Sequence, residues 1–137
     1  MLVASPDGMG SVRGMDATSV ARLIALGRLG LGAGLVAAPG LAGRAWVGAE
    51  GATTGAKVLG AGFGARDVAI GSGLWRALER GEDASGWLLA GAAGDVADLL
   101  ATLAARRSLP VLGRLGVPVL AASGAALSVW AARQLAP

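Results

Sequence analysis

Residues 56–78 read AKVLGAGFGARDVAIGSGLWRAL. The stretch is apolar, rich in glycine and long enough to cross a membrane, yet Arg66 and Asp67 sit near its centre. A charged side chain at mid-bilayer costs about 2.5–3.5 kcal/mol, whereas a Leu or Val returns only about 0.3–0.6 kcal/mol. This run inserts poorly alone. It belongs in a membrane only if other helices meet its charges, so the rest of the chain must supply partners.

It does. A bilayer core of about 30 Å needs about 20 helical residues, and three more runs of that length flank the first: roughly 20–38, 86–105 and 112–135. The first closes at Pro39-Gly40, and Ser108-Leu109-Pro110 breaks the chain after the third. Pro118 either kinks the fourth or marks a later start near Gly116. Glu82, Asp83 and Ser85 precede the third run, where a helix N-terminus favours negative charge and a capping oxygen. Arg76 and Arg80 close the second, and Arg106 and Arg107 the third, as the C-terminal end of a helix dipole favours. The expected architecture is all-α: a four-transmembrane-helix bundle over residues 19–137 with up-down topology, preceded by a flexible N-terminal arm over residues 1–18. A cleaved signal peptide is the competing reading of the first run. Arg28 interrupts its apolar region, and its length matches a full span.

Composition points the same way. Hydrophobic residues make up 54% of the 137-residue chain and charged residues 15%, against about 25% charged in soluble domains. Cysteine and histidine are absent, which excludes disulfides and thiolate sites and removes the commonest general base. Tyrosine is absent as well. No cofactor or metal is expected. The net charge of +3 is scattered singly or in pairs between apolar runs, without interleaved aromatics, so nucleic acid is not an expected partner.

Four tryptophans fall at the ends of runs. In an up-down bundle Trp75, Trp87 and Trp130 share one membrane face with both termini, and Trp46 lies on the other, as an interfacial belt requires. Loop cations assign no orientation. Arg13, Arg22, Arg76, Arg80 and Arg133 on the terminal side balance Arg44, Lys57, Arg106, Arg107 and Arg114 on the other. Glycines four apart, Gly30/Gly34 and Gly60/Gly64, predict close packing of helices within the chain. The tetrapeptide GRLG occurs at 27–30 and again at 113–116, which a narrow composition produces by coincidence.

The strongest signal is a set of charges near mid-run: Arg28 in the first, Arg66 and Asp67 in the second, Asp95 and Asp98 in the third. Facing lipid, the five would cost very roughly 12–18 kcal/mol, so they must face one another. Asp95 and Asp98 share a helix face, which Gly91 and Thr102 extend. Gly60, Gly64, Asp67 and Gly71 form a comparable stripe, and Arg66, about 100° around from it, must curl its stem to reach the interior. The fourth run has no mid-span charge, only Ser123 and Ser128, and is expected to seal the bundle. Two arginines against three aspartates leave −1, and an unpaired carboxylate in a low dielectric takes a proton or binds a cation.

The sequence Gly64-Ala65-Arg66-Asp67 with Gly71, then Gly94-Asp95-Val96-Ala97-Asp98, together with Arg28 and the Pro39 ending, resembles a family of small four-helix bacterial integral membrane proteins of unknown function, DoxX-like in character. The resemblance covers roughly residues 22–133. It implies a four-helix bundle and no established activity. The expected location is the cell inner membrane, crossed several times. The expected function is that of an accessory or structural membrane protein, with the bilayer and either copies of itself or a larger complex as partners. The alternative is a transporter component that binds a proton, cation or small solute at Arg28, Arg66, Asp67, Asp95 and Asp98. An enzyme is not expected, although carboxylates alone can perform general acid–base chemistry.

Overall fold

The computed structural model describes residues 16–137. The expected N-terminal arm lies outside the described residues as far as Met15; of its remainder, Asp16 is the N-cap of the first helix and residues 17–18 are helical. Helix α1 spans Ala17–Ala37, α2 Pro39–Val47, α3 Thr54–Arg80, α4 Ser85–Ala105 and α5 Val117–Leu135. No strand occurs among the described residues. Three segments are long and apolar enough to cross a membrane: α1, α4 with its short extension to Ser108, and Leu112–Leu135.

Local chemistry fixes the helix ends. Asp16 accepts a hydrogen bond from the Ser19 amide at 2.7 Å and caps α1. That bond holds its carboxyl below the usual carboxylate range. Thr53 caps α3 through the Ala56 amide. Gly81 ends α3 in the left-handed region at φ 64°, and the Glu82 amide reaches back to the Ala77 carbonyl. Asp83 accepts from the Ser85 amide at 2.8 Å at the start of α4, the role expected of this acidic turn.

One boundary differs from expectation, and a second, at Pro118, follows the later start near Gly116. Pro39 does not open a loop: it sits in the first turn of α2, where its missing N–H is harmless and its fixed φ suits a helix. The chain breaks at Ala38 and restarts at once. Nine residues are too few to read as a span, so α2 left no trace in the run pattern. Pro118 lies in the first turn of α5, and a π-helical turn, Leu112–Gly116, leads into it without a break. The two GRLG tetrapeptides are not equivalent, since Arg28 is buried in α1 while Arg114 is exposed in that π-helical turn.

The packing order places α1 against α3, α4 against α5, and α1 against α5, with the α3–α4 side the loosest of the four. The α1–α3 contact is backbone on backbone. A Cβ built at Gly32 would lie 2.6 Å from the Gly64 carbonyl oxygen, and one at Gly64 would lie 2.6 Å from that of Gly32. Gly30 and Gly34 face open space, so the tight seam runs through Gly32, not through the expected Gly30/Gly34 pair. Near the termini lies an apolar core of small residues, including Ala21, Ala25, Ala77 and Ala131 around Leu74 and Leu88. At the far end Trp46 of α2 donates its indole N–H to Thr102 Oγ1 at 3.1 Å. Trp46 is thus held by packing, while Trp87 and Trp130 stay exposed.

The side-chain distribution is inverted relative to a water-soluble bundle. The buried apolar side chains are mostly alanine, whereas Leu, Val and Trp side chains crowd the exposed surface of every long helix. An aqueous monomer rarely exposes an apolar patch beyond a few hundred Å². This is the surface of a membrane protein, with small residues inward for close backbone approach and large ones outward for lipid.

Candidate functional site

Helices α1, α3 and α4 each place a charge or a glycine at the midpoint. Asp67 has thirteen α3 residues on either side, and Asp95 has ten α4 residues on either side. Arg28 follows the first eleven residues of α1. The antiparallel pairing of α1 with α3 then brings Arg28 to the level of Asp67.

The five charges expected to meet do meet. Arg28 donates from Nη1 to Asp67 Oδ1 at 3.3 Å and from Nη2 to Asp95 Oδ2 at 2.6 Å. Arg66 donates from Nε and Nη2 to the same Asp67 oxygen, each at 3.3 Å. It also forks onto Asp98, Nη1 to Oδ1 at 3.4 Å and Nη2 to Oδ2 at 2.8 Å. The order is Asp95–Arg28–Asp67–Arg66–Asp98, alternating in sign, with a carboxylate at each end. Bidentate guanidinium pairing is the geometry that best satisfies such groups away from water. Three helices are tied together through side chains alone.

Glycines make the room. A Cβ at Gly91 would fall 2.7 Å from the Arg28 Nε, and one at Gly94 would fall 3.3 Å from the Arg66 Cζ. Each guanidinium therefore rests on an α4 glycine one turn before the aspartate it pairs with: Gly91 before Asp95, Gly94 before Asp98. On α5, a Cβ at Gly124 would lie 2.7 Å from Asp95 Oδ2. The GxxGDxxD pattern at 91–98 carried the α4 half of this arrangement. Gly124 was missed because its partner lies on another helix and no local pattern marks it.

The two arginines differ in surroundings. The Arg28 side chain is 8% exposed, whereas that of Arg66 is 30% exposed and lies over the Phe63 ring at 5.5 Å from its centroid. Phe63 in turn meets Trp46 at 6.4 Å between ring centroids. The curl expected of Arg66 is thus completed by an aromatic support that sequence reading did not anticipate. A cation over a ring face at this distance is attracted by the ring quadrupole. Arg66 and Asp98 lie on the loose α3–α4 side and Arg28 in the interior. Ser128 of α5 is fully buried with its hydroxyl unpartnered.

No three carboxylates converge on a metal-binding geometry among the described residues, because each aspartate faces a guanidinium. The set can hold helices together, and its excess of one negative charge can hold one more positive charge. No family model, curated protein or solved structure matches the chain.

Proposed function

We propose that the chain is a four-span, up-down integral membrane protein of the cell inner membrane. It acts as an accessory or structural component, with the Arg–Asp set as its interhelical clamp. The observation that carries this reading is the unbroken alternation Asp95–Arg28–Asp67–Arg66–Asp98 across α1, α3 and α4. The fourth span in this reading is α3. Its hydropathy is lowered by Lys57, Arg66, Asp67 and its glycines, but its 27 residues reach about 40 Å, more than a bilayer core of about 30 Å. Its central charges are matched by neighbours, which removes the objection to burying them. The proposed four-helix bundle also agrees with the DoxX-like resemblance. Partners would be copies of the chain or a larger membrane complex.

One observation favours a second reading, a carrier for a proton, cation or small solute. The five groups sum to −1, and the Arg66–Asp98 end is reachable from the loose side of the bundle, with 30% and 20% of the two side chains exposed. Both readings are tested with the Asp95→Asn/Asp98→Asn chain in proteoliposomes. The clamp reading expects the variant to lose thermal stability and the wild type to pass protons and monovalent cations no faster than empty vesicles. Wild-type flux that vanishes in a variant of unchanged stability overturns the clamp and establishes the carrier.

A further inference from the structure

The loose α3–α4 side has a second consequence toward the termini. There a cleft of about 460 Å³ opens between the two helices, with Ser72, Gly73, Arg76, Arg80, Glu82 and Trp87 on its walls. That volume is in the range of small-molecule sites. The Trp87 indole lies directly against α3: a Cβ at Gly73 would meet three of its ring atoms at 2.5–2.6 Å. A large ring inserted at a glycine props the helices apart and forms the cleft's apolar wall.

We propose that this cleft binds the headgroup of an anionic phospholipid, with Arg76 and Arg80 on its phosphodiester and Trp87 beside its glycerol. The inference rests on the spanning of α3 proposed above. Charge and depth both support it. The neighbouring carboxylates are already engaged, Glu79 by Arg22 at 3.5 Å and Glu82 by Arg80 at 3.8 Å. Arg76 has no ion-pair partner among the described residues. Arg76, Arg80 and Glu82 sum to +1, which complements one phosphodiester. With Asp67 at the midplane, Arg76 stands nine residues, about 14 Å, and Arg80 thirteen residues, about 20 Å, along the helix. The hydrocarbon half-thickness is about 15 Å. The two guanidiniums therefore bracket the depth at which lipid phosphates lie. A soluble anion has no reason to prefer a site walled by an indole at the hydrocarbon edge.

The test is native mass spectrometry of the delipidated full chain equilibrated with equimolar phosphatidylglycerol and phosphatidylcholine. The wild type is expected to retain phosphatidylglycerol preferentially. A basic residue near an anionic surface is worth about fivefold, so Arg76→Gln/Arg80→Gln should bring the preference down by more than tenfold. Arg133→Gln, which removes a charge at the same end of the bundle, should leave it unchanged. Equal retention of both lipids by the wild type overturns the site. So does a preference that survives Arg76→Gln/Arg80→Gln, or one lost equally in Arg133→Gln. Displacement of the lipid by millimolar glycerol phosphate overturns a lipid as the occupant. The spanning of α3 is scored separately, with a membrane-impermeant maleimide on Glu50→Cys and Glu82→Cys in sealed vesicles. Labelling of both from the same side defeats the spanning reading, whereas labelling from opposite sides with no lipid preference defeats this site alone.

Discussion

Arg28 is the residue on which the interior depends, because it alone touches both Asp67 and Asp95. Arg28→Met keeps the apolar stem and removes the charge, leaving Asp95 without a cation and Asp67 with Arg66 alone. Breaking a buried ion pair from one side costs about 3–5 kcal/mol, more than the intact pair contributes, because the orphaned charge stays buried. Asp95→Asn is milder. The amide oxygen still accepts from Arg28 Nη2, and the set moves from −1 to zero, so the loss is that of a charge-assisted hydrogen bond, about 1.5–3 kcal/mol. Unfolding titrations in mixed micelles should rank Arg28→Met well below Asp95→Asn, and equal losses would sink the clamp. The five charges were legible in the sequence because a charge in an apolar run has few tolerable places to go. The room they occupy was only half legible. Gly91 stands one turn before its aspartate and Phe63 one turn before Arg66, both at local helical spacing, whereas Gly124 acts across a distance no local pattern encodes.

At the scale of helices, the decisive contact is the α1–α3 seam. The sequence offers Gly30/Gly34 as the packing pair, and by spacing alone that reading is sound. The helix turns a different face inward, set by Val20, Ala21, Ala25, Arg28 and Gly32, which fall at helical spacing on the buried side. Burying Arg28 selects that face, and Gly30 and Gly34 are left outside it. Gly32→Ala therefore drives a methyl into the Gly64 backbone and should cost about 1–3 kcal/mol by overpacking. Gly30→Ala meets open space and should be neutral or stabilise by about 0.5–1 kcal/mol through helix propensity. Thermal unfolding in one detergent distinguishes the two, and the opposite ranking would restore the spacing motif. The start of α4 carries a pH-dependent device. Ser85, through its hydroxyl and its amide, holds the Asp83 carboxyl below the ordinary value of 3.8. A depressed carboxylate contributes its capping above its unfolded pKa and loses it as pH falls through the folded one. A carbon-13 carboxyl titration should place the Asp83 midpoint below that of a free aspartate, and Ser85→Ala should move it upward. A midpoint indifferent to Ser85→Ala would mean that the hydroxyl contributes nothing and that the Ser85 amide alone holds the carboxyl.

At the scale of the whole molecule, the open question is how many times the chain crosses the bilayer, and α3 decides it. Hydropathy selects three segments and omits α3, since window averages treat Arg66 and Asp67 as though each faced lipid. The packed bundle treats them otherwise: their charges are opposed by Arg28 and Asp98 on flanking helices, and the α3 midpoint coincides with those of α1 and α4. Under the proposed four-span reading, α3 is scored alone although its insertion would depend on its neighbours. The two topologies separate at one pair of positions. With four crossings, Glu50 before α3 and Glu82 after it lie on opposite sides of the membrane. With three, and α3 outside, they lie on the same side. The absence of native cysteine makes the measurement direct. Glu50, in a short 3-10 turn, and Glu82, in a loop, are exposed positions outside α1–α5, and each cysteine variant, Glu50→Cys and Glu82→Cys, is treated with a membrane-impermeant maleimide in sealed vesicles of one orientation. Four crossings predict that only one of the two is labelled before the vesicles are opened. Ser108→Cys should then follow Glu50→Cys, and a cysteine at Pro137 should follow Glu82→Cys. Labelling of both Glu50→Cys and Glu82→Cys from the same side would remove α3 from the membrane. The Arg–Asp set would then have to form at an aqueous boundary, where surface ion pairs contribute only about 0–1 kcal/mol and the clamp would lose its force.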